Sequence, residues 1–221
     1  MVTLPALTST GRMRQKSAYA IQHLMAAATF SRQCGKAQEE NIGKPLGAFY
    51  DEQVACVSAA VMLSVASIES YINELLSDCK IIFPEMTDSQ STEFVELISS
   101  LSILQKYEKV IAVKNLDPFK KGESPYQDVD ILISMRNELV HFHPEWHDEQ
   151  IRHDRLGKKL QYRFELSPFI SEGLGVLFPQ RIISHGCTNW AVTKSLEFMI
   201  SFTEKVGLPN KFEKFKERLD V

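Results

Sequence analysis

Arg136 and His141 are the residues of this chain best equipped for chemistry. They bracket Arg136-Asn137-Glu138-Leu139-Val140-His141, where a polar residue follows the arginine and the histidine stands five positions after it. A guanidinium grips a phosphate through paired, charge-assisted hydrogen bonds. An imidazole, with a reference pKa of about 6.5, takes up or returns a proton near neutral pH. A phosphate clamp beside a proton shuttle is enough to cut an RNA backbone without a metal ion. Whether the two groups act together depends on the elements that carry them.

The segment reads as the end of a helix. Ser124 is the expected N-cap, Pro125 the first helical residue, and Asp128 an acid in the first turn. Pro144 biases His143 out of helical geometry, so the helix should stop near Phe142. On a wheel of about 100° per residue, Leu132, Ile133, Leu139 and Val140 gather around Val129. Ile131, Met135 and Phe142 form a second apolar group on the opposite side, and Asp130, Ser134, Asn137 and His141 line a polar strip between them. This pattern predicts a helix packed on two sides. Asn137 and His141 share the strip, whereas Arg136 lies about 140° from His141. Two copies of the helix facing across a two-fold axis would bring an arginine and a histidine from each chain into one cleft. The spacing therefore favours a composite site.

The rest of the chain also reads as helical. Helices are expected over residues 17–33, 49–77, 91–113 and 188–206, with a short charged helix over 211–219. A loop with Gly35, Gly43, Pro45 and Gly47 should follow the first helix, and 114–123 is a loop around Asp117-Pro118 and Gly122. Residues 144–186 are the least regular. Within them Leu160, Tyr162, Phe164 and Leu166 alternate with Gln161, Arg163 and Glu165, which predicts a strand. The expected fold is mostly α, a bundle of about five to six helices with a short β or irregular segment near 158–186. No repeat or long linker divides the 221 residues, so a single domain over 1–221 is expected.

Residues 124–146 resemble the signature helix of the HEPN superfamily, in which an arginine and a polar residue, often asparagine, precede a histidine after four to six intervening residues. Ser67-Ile68-Glu69-Ser70-Tyr71-Ile72-Asn73-Glu74-Leu75 resembles an early helix of such proteins, and Gly186-Cys187-Thr188-Asn189-Trp190-Ala191 resembles their closing helix. The resemblance covers residues 50–205 and is sharpest at the arginine–histidine helix. It implies a HEPN-like helical dimer acting as a metal-independent endoribonuclease, in the manner of a toxin or antiviral effector. On that reading Arg136 stabilises charge on the scissile phosphate. His141 serves as general base or acid, and Asn137 orients His141 or touches the phosphate. The product would carry a 2′,3′-cyclic phosphate, and a cognate antitoxin or defence-system protein would be a partner. A subset of the family has a modifiable tyrosine two residues after the histidine; here that position is His143. His143 also satisfies the six-residue spacing from Arg136 and is the alternative working histidine.

A net charge of −3 and a pI of about 6.1 will not gather polyanions over the whole surface, so RNA contact requires a local patch. Arg152, Arg155, Lys158, Lys159 and Arg163 supply one, opposed within that run only by Asp154. A solvated charged loop has the same composition, as does the weaker pair Lys120-Lys121. His141, His143, His147 and His153, with Glu145, Asp148 and Asp154, invite a zinc reading that would make the protein a metallohydrolase. A helix end and a proline interrupt that run, so no metal and no cofactor are expected. Glu69 and Glu74, on an otherwise apolar helix, are either partners of Arg136 or a solvated edge.

Cys34, Cys56, Cys79 and Cys187 are scattered and read as buried thiols. The longest uncharged run, residues 54–68, is fifteen residues long and contains three serines, short of the roughly 20 a membrane span needs. Arg12, Arg14 and Lys16 precede an Ala-rich stretch with no cleavage signal after it. These features predict a cytoplasmic protein that does not contact membrane. A catalytically silent HEPN-like scaffold, binding a protein partner or nucleic acid, would share every one of these features except turnover.

Overall fold

The computed structural model describes residues 6–7, 13–14, 17–146, 149, 151–171, 173 and 176–221. The chain is mostly helical, as its apolar spacing predicts. In order it forms a two-residue antiparallel pair, β1 (Ala6–Leu7) with β2 (Met13–Arg14), then α1 (Ala20–Asn41) and α2 (Ala48–Leu76). α3 (Asp88–Ser99), α4 (Ile103–Val113), α5 (Tyr126–Val140), α6 (Arg152–Leu160), α7 (His185–Lys205) and α8 (Lys216–Leu219) follow.

Small side chains decide how the central helices meet. The buried positions of α1 are Ala20, Leu24, Ala27, Ala28, Ser31, Cys34, Gly35 and Ala37. α2 and α7 answer with Ala60, Ser64, Ser67, Ala191 and Ser195, all fully buried. Most buried hydroxyls at this seam are bonded, Ser64 being the exception. The Ser67 hydroxyl donates to the Ala20 carbonyl (2.7 Å), Ser31 and Thr188 share a bond of 2.9 Å, and Tyr71 and Thr203 share one of 2.7 Å. Each such bond contributes about 1 kcal/mol net, and its loss would leave a buried polar group unpaired. By length and composition alone α2 is apolar enough to cross a membrane, but it packs against α1, α4, α5 and α7 as a core helix.

An aromatic cluster joins α4 to α7 and α2. Tyr107 of α4 sits edge-on to Phe198 (4.9 Å) and Phe202 (4.6 Å) of α7, and its hydroxyl donates to the Ile68 carbonyl of α2 (2.6 Å). One side chain thus fastens three helices. Removing water from rings of this size is the largest favourable term available to the fold.

Besides α6, which forms within a segment expected to be irregular, the structure differs from the sequence expectations in several places. Gly35 lies inside α1 instead of ending it, because it serves a tertiary contact: a Cβ there would meet the His185 ring at 3.1 Å. The helix expected over 91–113 is two helices, α3 and α4. A reciprocal capping box of Thr87 with Gln90 starts α3, and at the start of α4 the Gln105 side chain accepts the Ser102 amide (3.0 Å), so the chain turns between the two helices. α5 begins at Tyr126, with Pro125 at the cap position and no side-chain cap bond, and ends at Val140, two residues before Phe142.

A further difference is the strand expected from Leu160 to Leu166, which does not form. Leu160 closes α6, and Tyr162 takes a left-handed φ of 65°, incompatible with an extended run. The alternation reflects burial of Leu160 at a helix end and of Phe164 against Trp190 (5.3 Å), not a pleat. The terminal charged segment is not one helix over 211–219 but a 3-10 turn (Glu213–Phe215) followed by α8, which together hold Phe212 in the core.

At the start of α7, the Ser184 hydroxyl donates to the Glu165 carbonyl (2.7 Å) and accepts the Cys187 amide (3.1 Å). This draws the chain at Glu165 so close that a Cβ on Gly186 would stand 2.4 Å from the Glu165 carbonyl oxygen. Gly186→Ala should therefore destabilise the protein by about 1–3 kcal/mol in urea denaturation. Gly35→Ala should cost less, since the His185 ring can turn aside and alanine gains up to about 1 kcal/mol in helix propensity.

Candidate functional site

α5 is held along most of its length and released at its end. Tyr126, Asp128, Val129, Ile131, Leu132 and Met135 are buried against α2, α6 and α7, and Ile133 and Leu139 pack beside them. Both apolar groups of the wheel are thus covered through the first three turns. The covering stops at the last turn, where Val140 is 49% and Phe142 44% exposed.

The polar strip faces outward. Asp130, Asn137 and His141 are exposed, while Ser134 is half-buried with its hydroxyl donating to the Asp130 carbonyl. His141 caps the helix: its amide donates to the Asn137 carbonyl (2.9 Å), and its φ and ψ of −109° and 49° leave helical geometry. Neither its ring nor that of the exposed His143 has a hydrogen-bond or ion-pair partner among the described residues. Arg136 is half-buried with its Nε shielded and unbonded, and no described carboxylate pairs with it. A guanidinium in that condition keeps its charge and donors for an incoming anion.

Two ties fix the frame around these groups. Glu145 accepts the amides of Arg152 and His153, both at 3.1 Å, and so caps α6 at its N-terminus. The His153 amide in particular holds the Glu145 carboxyl below the usual glutamate range, helped by the Arg152 amide and the nearby positive charge. Arg152 also binds Glu138 of α5 (2.9 Å). The second tie is Arg163, which pairs with Asp128, bonds Gln127 (3.0 Å) and donates through Nε to the Lys159 carbonyl (2.6 Å). Asp128 is only 6% exposed in this pair. Arg163 thus clamps the end of α6 onto the start of α5 and is not free for RNA.

The remaining members of the expected RNA-binding set separate. Arg152 is engaged by Glu138, and Lys158 pairs with Asp154 (2.6 Å) on the surface. Arg155 and Lys159 are exposed with no partner for their charges among the described residues. Lys120 and Lys121 bind Glu123 and Glu108. Glu74 is no partner of Arg136. It accepts the amides of Tyr19 (2.6 Å) and Ala20 (2.7 Å) and so caps the start of α1.

His153, expected beside His141 and His143, is withdrawn into the interior at 2% exposure. Its ring stacks on Phe142 (5.1 Å) and meets the edge of Phe178 (5.2 Å). Among the described residues no three His, Cys, Asp or Glu side chains gather in a metal-holding arrangement; His147 and Asp148 lie outside the described residues.

Glu138 has no role in the sequence expectations, and Glu145, a candidate zinc ligand by sequence, caps α6 instead. The detectable signal was the apolar spacing His153, Leu156, Leu160, which marks a short helix needing an acid at its start.

Arg163→Ala would strand the buried Asp128 charge and should cost about 3–5 kcal/mol in urea denaturation. Arg155→Ala should change stability by less than about 0.5 kcal/mol; equal effects would refute the separation of structural from surface cations. Comparison with known proteins gives no matching family model, no similar curated protein and no similar solved structure.

Proposed function

We propose that this protein is a homodimeric, metal-independent endoribonuclease of the HEPN type, whose site is built from Arg136, Asn137 and His141 of two α5 helices. The observation that carries this reading is the state of two side chains at the end of α5: an exposed histidine and an arginine, neither paired with a carboxylate among the described residues. Arginines held for structure behave like Arg163, fully engaged by acids and carbonyls. Arg136 does not.

The two side chains diverge by about 140° around one helix, so a second copy supplies the group that the first cannot aim. The exposed Val140 and Phe142 next to them give the two chains apolar surface on which to meet. In the cleft, one His141 takes the proton of the ribose 2′-hydroxyl as its oxygen attacks phosphorus. The partner's His141 gives a proton to the departing 5′-oxygen, and Arg136 neutralises the charge rising on the phosphoryl oxygens. The products are a 2′,3′-cyclic phosphate and a 5′-hydroxyl. The environment proposed for this activity is the cytoplasm, with a cognate antitoxin or defence-system protein as restraint.

A second reading, a catalytically silent scaffold, is favoured by the same exposed Val140 and Phe142, which suit an interface whether or not chemistry occurs there. The two readings separate on labelled RNA incubated in EDTA. Wild type should release cyclic-phosphate ends, and His141→Ala and Arg136→Ala should each cut at least about 100-fold more slowly while remaining dimeric by sedimentation. Equal cutting by wild type and His141→Ala would sink the nuclease assignment. A dimer that never cuts would leave the scaffold.

A further inference from the structure

α6 carries a cationic stripe, and an exposed aromatic residue stands in the chain before and after it. On its wheel Arg152, Arg155 and Lys159 fall within an arc of about 60°, spread over roughly 10 Å of helix axis. Lys158 points away from the stripe and is held by Asp154. Trp146 stands before the helix and is 78% exposed; Tyr162 stands just beyond it and is 92% exposed. Trp146 is also the immediate neighbour of Glu145, whose carboxylate accepts the first amides of α6. Its backbone is therefore fixed relative to the stripe, and the Glu149 amide closes a turn onto its carbonyl (3.0 Å).

A large indole left in water forgoes the gain of burial, and planar aromatic surface beside free cations complements a strand of bases and phosphates. We propose that the exposed face of α6 binds single-stranded RNA, with one unpaired base stacked on Trp146 and the adjoining phosphates on Arg155 and Lys159. The nuclease reading enters only in the choice of RNA as the strand and in the placing of this surface next to the site: Trp146 follows His141 by five residues and His143 by three. Charge complementarity favours this occupant over a second copy of the chain, which would set two cationic stripes against one another. A duplex offers the phosphates but keeps its bases stacked inside, so it leaves the indole without a partner.

The chain contains two tryptophans, and Trp190 is 5% exposed, so indole emission accessible to iodide comes from Trp146. The experiment titrates the His141→Ala protein, which keeps RNA intact under the nuclease reading, with a short oligouridine, with an RNA duplex of equal length, and with phosphatidylserine vesicles. Expected are quenching by oligouridine, binding of the duplex at least about fivefold weaker, and a loss of about tenfold in oligouridine affinity for Trp146→Ala that Trp146→Phe largely restores. Replacing Arg155 and Lys159 together by alanine should flatten the salt dependence by about 0.7 per lost contact.

Unchanged affinity in Trp146→Ala, equal binding of duplex, a response to vesicles without one to RNA, or an indole already shielded from iodide in the free protein would each overturn the proposal. Quenching by oligouridine without any cutting by wild type would retain this surface and remove the nuclease reading. Cutting without quenching would do the reverse.

Discussion

The fold depends on how closely α1, α2 and α7 approach. Their shared seam is lined by alanine, serine, cysteine and glycine, and small residues let helical backbones come nearer than leucine would. Close approach places hydroxyls within reach of the facing helix, which is why Ser31, Ser67 and Thr188 are bonded and not merely buried. With these three helices fixed, α4 and α5 can lean on them through larger side chains, Tyr107 and Tyr126 among them. Gly35 and Gly186 sit at the same end of that seam, each beside residues of the segment 165–185.

The candidate site inherits its geometry from that frame through polar ties. Asp128 and Arg163 bind the start of α5 to the end of α6, and Glu138 and Arg152 bind the end of α5 to the start of α6. The two pairs run between the same two helices at opposite ends, so α6 cannot swing about either one alone. What remains outward is Asn137, His141, His143, Arg155 and Lys159, whose side chains have no hydrogen-bond or ion-pair partner among the described residues. A protein that commits some cations to carboxylates and leaves others bare has separated holding from binding within one short stretch of chain.

Much of this was legible in the sequence, and the misreadings have physical causes. α2, α5 and α7 announce themselves by long apolar periodicity, which burial in the core enforces. Gly35 sits among the glycines and proline that suggest a loop, yet its purpose is contact with His185, a residue distant in sequence. The break between α3 and α4 was written in the Ser102–Gln105 spacing, a signal of two polar residues inside a continuous apolar pattern. The alternation over 160–166 misled because seven residues cannot distinguish a pleat from a helix end followed by a turn. The roles of Arg163 and Glu74 were invisible, since each is defined by a partner 35 or more residues away.

All four cysteines are buried and free. Burial raises the Cys34 thiol to about 12 and pushes those of Cys56, Cys79 and Cys187 upward as well. The thiolate is the reactive form, so native cysteines in this state react slowly with alkylating reagents at neutral pH. The folded protein therefore offers a chemically silent background for labelling. A single cysteine introduced on the exposed strip of α5, for example at Asn137, would be the fast-reacting thiol, and a spin label placed there would report how far apart two such helices stand.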